Sequence, residues 1–202
     1  EAWAVECFPQ YQAIFPIVLA QLDGKLPSPI VSSAGRLFDG ISAILNICTE
    51  STYEGEAAAR LSELLEASAN PADGIVVTDM YPFETVGNQW NISTMIGSIM
   101  NERHQNASTV VIARKFHHTL AAMILEGVKK ARRKYGISSV VFSGGVWNNR
   151  YLQHVTKELL RKEGFTVYTH KKVPSGDGGI ALGQAVCGLW RRANEDVLIG
   201  AN

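Results

Sequence analysis

Two short glycine turns carry the residues best suited to chemistry. The first, Ser143-Gly144-Gly145, follows the apolar run Ser138 to Phe142 and precedes Val146-Trp147-Asn148-Asn149-Arg150. The second, Val173-Pro174-Ser175-Gly176-Asp177-Gly178-Gly179, follows Phe165 to His170 and opens an apolar segment at Ile180. Glycine lets a ligand approach the backbone because no Cβ stands in the way. The first amides of a following helix point outward unpaired and carry partial positive charge. Asn148 or Asn149 can cap such a helix or offer an amide to a ligand. A branched side chain at Gly145 is expected to fill the ligand's space and to strain a backbone with φ > 0. Asp177, at a loop tip before a helix, reads either as an N-cap or as a metal-linked carboxylate. A third place is Gly35 with Asp39, one turn apart near a helix start. A carboxylate there can hold a pair of sugar hydroxyls or simply favour the helix N-terminus.

The elements that position these residues follow from periodicity and punctuation. A buried strand at 138–142, a helix at 148–163, a strand at 165–170, a loop at 171–179 and a helix at 180–194 form two strand-turn-helix units. Side by side in a parallel sheet, they would bring both glycine turns to the carboxyl ends of the strands, where open α/β sheets bind ligands. Upstream, residues 8–22 read as helical, with Pro16 awkwardly interior. Leu37, Phe38, Ile41, Ile44 and Leu45 share one helical face, with Asp39 on another. Glu54 to Ala69 is rich in strong helix formers, and Pro71 to Gly74 ends it. Ile75 to Val77 reads as a short strand, Thr78 to Gln89 as turn-like and Trp90 to Glu102 as a helix with Ile92, Met95, Ile96 and Ile99 on one face. Ser108 can cap a long helix to about Tyr135, with Val111, Phe116, Leu120, Ile124 and Val128 as core and Gly136 as its C-terminal stop.

Composition sets the bounds. The 202 residues suffice for one large domain or two small ones, and 46% are hydrophobic, ordinary for a globular chain with a sizeable core. Lys and Arg number 19, as do Asp and Glu, so net charge gives no argument for nucleic-acid or membrane binding. The run Lys129 to Lys134 sits at a helix end, where it complements the dipole. No apolar run reaches membrane-span length, and no signal peptide is visible. Cys7, Cys48 and Cys187 have no metal-binding spacing and read as buried thiols of a reducing, cytoplasmic compartment. His117 and His118, adjacent on the long helix, point about 100° apart and do not easily face one metal. They and His104, His154 and His170 read as structural or solvent-exposed. Glu1 to Phe8 carries no start signal, which points to a piece of a longer protein.

Four motifs then fall in a telling order: Ser32-Ser33-Ala34-Gly35-Arg36-Leu37-Phe38-Asp39, Tyr53-Glu54-Gly55-Glu56-Ala57-Ala58, Phe142-Ser143-Gly144-Gly145-Val146-Trp147-Asn148-Asn149-Arg150 and Asp177-Gly178-Gly179-Ile180-Ala181-Leu182-Gly183-Gln184-Ala185. Together they resemble the C-terminal part of the HypF carbamoyltransferase family of NiFe-hydrogenase maturation, over about residues 8 to 190. That part is similar to the TsaD (Kae1-like) family, within the actin/Hsp70/sugar-kinase superfamily. The resemblance implies an α/β, RNase H-like lobe spanning 1–202, with a helical insertion at about 36–135. It implies that Gly35 and Asp39 contact ribose, that Gly144, Gly145 and Asn149 hold phosphate and adenine, and that Asp177 ligates a divalent metal whose other ligands lie outside the chain.

By the same resemblance, the parent protein makes carbamoyl-adenylate from carbamoyl phosphate and ATP. It then passes the carbamoyl group to the C-terminal cysteine of HypE, with the chain cradling adenylate and metal. The acceptor thiol comes from the partner, so no nucleophile is needed here, and the chain alone is expected to be inactive. No nucleic acid or membrane partner is implied. Two other readings share the glycine turns: a lobe of a sugar kinase or Hsp70-like ATPase, and a noncatalytic interaction module.

Overall fold

The computed structural model describes residues 2–68 and 79–194. The helix end expected at 71–74 and the strand expected at 75–77 lie outside the described residues. Helices dominate a mixed α/β fold, in the order α1 (Ala2–Cys7), a 3-10 turn (Pro9–Ile14), α2 (Phe15–Leu22), α3 (Ala34–Ile44), α4 (Glu56–Ser68), β1 (Glu84–Val86), β2 (Gln89–Asn91), α5 (Ser93–His104) and α6 (Thr109–Tyr135). Then come β3 (Ser139–Val141), a 3-10 turn (Gly145–Asn148), α7 (Arg150–Lys162), β4 (Thr166–Tyr168), a 3-10 turn (Asp177–Gly179) and α8 (Ile180–Ala193).

The 27-residue α6 is the spine. It packs against α4, α5 and α7, while α3 packs against α4. The main core joins Phe38 and Ile41 of α3, Leu61 and Leu65 of α4, Met95 and Ile99 of α5, Ile112 and Phe116 of α6, and Leu152 and Val155 of α7. Gly136 ends α6 in the left-handed region at φ 71°, where a residue without Cβ is unstrained. Ser108 occupies the N-cap position, yet its hydroxyl makes no cap bond. The buried stripe also includes Ala113, His117 and Ala121, so it lies partly off the expected positions, and Val111, expected in the core, is 44% exposed. A period of 3.6 allows several registers of one apolar stripe over so long a helix, and contacts with α4 and α7 choose among them.

Pro16 sits in the first turn of α2, where its missing N–H costs no helical bond, and not inside a continuous helix over 8–22. The stretch read as turn-like at 78–89 holds β1 and the first residue of β2, an antiparallel pair that continues to Asn91, with Val86 opposite Gln89 across Gly87-Asn88. Gly87 has φ 61°, so this is a tight hairpin, and its short exposed strands carry no apolar alternation to announce them. The helix read from Trp90 begins at Ser93, after Asn91 Oδ1 accepts the Ser93 N–H at 3.0 Å. Of the thiols, only Cys48 is buried; Cys7 and Cys187 are exposed.

β3 and β4 pair in parallel, with Val140 opposite Val167. Phe142, Leu160 and Phe165 form a second core beneath them, and the Trp147 ring stacks on Phe142 at 3.7 Å between centroids. On the other side, Val141 and Tyr168 are exposed, as are Leu182, Val186, Leu189 and Trp190 of α8. No helix among the described residues is long and apolar enough to cross a membrane.

Candidate functional site

The parallel pairing of β3 and β4 sets the two glycine turns against each other. The Gly144 N–H donates to the Ser175 carbonyl at 2.7 Å. A Cβ on Gly176 would lie 3.3 Å from Gly145 Cα, so the turns touch backbone to backbone. Gly144 has φ 107° and ψ 160°, a region that is essentially glycine-only, whereas Gly145 does not have positive φ. The strain expected at Gly145 therefore belongs to Gly144. A Cβ on Gly145 would meet nothing within 4 Å.

Those turns form one wall of a cleft of about 700 Å³. The opposite wall is the first part of α3. Ser33 caps that helix, its Oγ accepting the Arg36 N–H at 3.4 Å. Gly35 and Asp39 line the cleft from this helix, and Arg36 holds Asp39 in a 2.9 Å ion pair. Tyr53, Glu54 and Gly55 complete the lining on a third side. The buried Glu56 organises that loop: its Oε2 accepts the Thr52 N–H at 2.5 Å and the Thr52 hydroxyl at 2.8 Å, and Arg60 pairs with the other oxygen. The Thr52 N–H and hydroxyl bonds hold the Glu56 carboxyl below the usual carboxylate range.

All six residues singled out in the sequence, Gly35, Asp39, Gly144, Gly145, Asn149 and Asp177, line this single cleft. They come from three separate stretches of chain. The two asparagines take different parts. Asn149 is buried and caps α7, its Oδ1 accepting the Leu152 N–H at 2.8 Å. Asn148 is exposed and accepts from Ser175 Oγ at 3.4 Å. Asp177 is exposed; its carbonyl accepts the Ile180 N–H, while its carboxylate engages no hydrogen-bond or ion-pair partner among the described residues. The residue capping α8 is Gly179, without a side-chain bond, so the cap reading of Asp177 has no support in the geometry. Among the described residues, no three His, Cys, Asp or Glu side chains gather to hold a metal ion. Asp177 thus offers one carboxylate, which is no complete site for a divalent ion.

His117, which the sequence offers as structural or solvent-exposed, is buried directly behind the cleft wall, against a residue that lines it. Its ring is fully buried, with Nδ1 at 2.7 Å from the Ala113 carbonyl and Nε2 at 2.8 Å from Asn149 Nδ2. Burial is the largest influence on this imidazole and pushes its pKa down to about 4. Its place on the apolar stripe was the only available signal. Such a stripe says that a histidine is buried, not what it touches.

Fold and cleft define an α/β lobe of the actin/Hsp70/sugar-kinase kind, with a helical layer outweighing its strands. More particularly, residues 3–184 match the family model described as carbamoyltransferase, Kae1-like domain, second subdomain, and the chain belongs to that family. It is 36% identical over 166 residues to the probable carbamoyltransferase HypF of Methanocaldococcus jannaschii, covering 82% of this chain and 21% of that protein. To carbamoyltransferase HypF of Synechocystis sp. it is 32% identical over 178 residues, covering 86% of this chain and 22% of that protein. The chain therefore spans about a fifth of the length of these relatives. A crystal structure of full-length HypF in the phosphate- and nucleotide-bound form matches with a TM-score of 0.78 at 32% identity, over 89% of this chain and 28% of that one.

Proposed function

We propose that the cleft holds the nucleotide part of a carbamoyl donor within a larger carbamoyltransferase. The observation that carries this reading is the convergence of Gly35, Asp39, Gly144, Gly145, Asn149 and Asp177 on one cleft. Family membership and the nucleotide-bound HypF relative support it.

In this reading Asp39 accepts hydrogen bonds from ribose hydroxyls, which first requires a share of its pairing with Arg36. The bare backbone at Gly144 and Gly145 admits phosphate close to the first amides of the 3-10 turn, which have no partner within the turn and could donate to an anion. Asn149 meets the base. Asp177 contributes one ligand to a divalent metal site completed by residues elsewhere in the protein. Such an ion would offset phosphate charge.

The parent protein would form carbamoyl-adenylate from carbamoyl phosphate and ATP and present it here to the C-terminal cysteine of HypE. The thiolate sulfur attacks the carbamoyl carbon, the C–O bond to the phosphate breaks, and AMP leaves with the electron pair. The thiol proton passes to solvent. No side chain of this lobe has to act as nucleophile. Residues 36–135 would form a helical insertion in the lobe, in a protein of the cytoplasm.

The test uses the full-length protein and its Gly145→Val variant. Calorimetric ATP titration should show loss of one nucleotide site, and carbamoyl transfer to the partner thiol should fall with it. A folded variant with both properties intact would leave the turn a purely structural feature.

A further inference from the structure

We infer that His117 is a positioning residue for this site: from behind the cleft wall it fixes the Asn149 amide in the orientation that presents an N–H donor and a carbonyl oxygen to a bound adenine. The inference rests on the reading of the cleft as a nucleotide site.

Two backbone groups with unambiguous roles determine the whole relay. The Ala113 carbonyl can only accept, so His117 Nδ1, 2.7 Å away, carries the proton. A neutral ring protonated on Nδ1 has a bare Nε2 that can only accept. The Asn149 atom 2.8 Å from it must therefore be the NH₂ nitrogen. At the other end the Leu152 N–H can only donate, so the Asn149 atom 2.8 Å from it must be the carbonyl oxygen. Both ends agree, and a flipped amide would break two bonds at once. One Nδ2 hydrogen and one Oδ1 lone pair of Asn149 remain uncommitted, and Asn149 lines the cleft. A free donor and a free acceptor on one amide suit adenine, which offers a ring-nitrogen acceptor next to its exocyclic amine donor.

The ring itself cannot turn easily. Phe38, Phe116 and Tyr151 surround it edge-on, with centroids 5.3, 5.5 and 5.6 Å away. Phe38 immediately precedes Asp39 on α3, and Tyr151 lies two residues beyond Asn149. His117 thus joins the two walls that would hold ribose and base. Protonation would put an N–H of the ring against the N–H of the amide, two donors with no acceptor between them. Burial keeps the imidazole neutral at pH 7, with its pKa near 4.

The experiment compares His117→Gln and His117→Phe in the full-length protein, with Gly145→Val giving the background from any other nucleotide site. Gln keeps an acceptor near the Nε2 position; Phe keeps ring volume and loses it. Calorimetry is run with ATP and with tripolyphosphate, which carries no base. His117→Phe should weaken ATP at the cleft about tenfold, the scale of one hydrogen bond, and leave tripolyphosphate unchanged, while His117→Gln stays near wild type. Equal ATP affinity in Phe and Gln variants, or equal loss of both ligands, overturns the positioning role. If Gly145→Val changes no ATP binding, the nucleotide reading of the cleft fails, and this inference with it. Should His117→Phe not fold, histidine-selective ¹⁵N spectra of the wild type decide. A bare Nε2 whose shift responds to ATP but not to tripolyphosphate supports the inference; an Nε2-protonated ring, or no response to ATP, overturns it.

Discussion

The backbone N–H of Gly144 donates to the carbonyl of Ser175 at 2.7 Å, so two turns joined by residues 31 positions apart are held as one wall of the cleft. Gly144 reaches that bond with φ 107° and ψ 160°. Gly144→Ala should therefore destabilise the lobe by about 1–3 kcal/mol, because an L side chain is strained in this region. Gly145→Val should change stability by no more than about 0.5 kcal/mol, since its backbone is ordinary and its Cβ points into open space. Melting curves of the two variants beside ATP titration separate strain from blockage. Equal melting of Gly144→Ala and wild type would contradict the first half.

Gly179 has a different constraint. A Cβ there would lie 2.6 Å from the Pro174 carbonyl oxygen, far inside van der Waals contact with backbone that has little freedom to move. Gly179→Ala should force the Pro174–Gly179 loop to shift and displace Asp177 with it. The expected result is impaired carbamoyl transfer and faster hydrogen exchange in the loop and first turn of α8. Unchanged exchange there would show that the loop absorbs the methyl group.

The buried His117 gives a pH dependence with a definite sign. Its pKa is about 4 in the fold and about 6.5 when exposed. Between those values the unfolded state binds the extra proton, so stability rises with pH. The contribution, at most roughly 3 kcal/mol from that difference, is complete above about pH 6.5 and lost as pH falls towards 4. His118 is also shifted down, chiefly by burial, and adds in the same direction. Hydrogen exchange of α6 and α7 in wild type and His117→Gln, followed from pH 7 to 4.5 and corrected for intrinsic rates, should show the wild type losing protection more steeply. Parallel profiles would mean that His117 is not neutral in the fold.

How much of this was legible in the sequence depends on the kind of signal. The parallel pair β3–β4 and its glycine turns announced themselves, because strand, glycine and helix each leave a local mark. The hairpin at Gly87-Asn88 did not, because its three-residue strands are exposed and carry no apolar alternation. Residue type alone points to burial for Cys7 and Cys187, yet both are exposed, because exposure is set by what packs nearby. The partnership of His117 with Asn149 spans 32 positions and depends on how α6 and α7 pack, so no local pattern encodes it. Asn148 and Asn149 were equivalent as residue types; only the start of α7 at Arg150 distinguishes the buried cap from the exposed amide.

Asp177 offers the sharpest division between a structural and a functional role. A carboxylate just before a helix is commonly a cap, and losing a cap costs about 1 kcal/mol. Here the side chain is exposed, has no partner among the described residues, and the cap position of α8 belongs to Gly179. Asp177→Ala should therefore leave the melting temperature within about a degree of wild type, in keeping with the small effect of a surface substitution away from any bond. If the carboxylate contributes to a divalent site with ligands elsewhere in the protein, its loss removes both charge and a coordinating oxygen. Metal content and carbamoyl transfer to the partner thiol should then collapse together in the full-length variant, while adenylate formation at a separate site, followed by pyrophosphate exchange, persists. Asp177→Asn, which keeps an oxygen but removes the charge, should fall between the two. A variant that melts several degrees early yet retains its metal and its transfer rate would return Asp177 to a structural role.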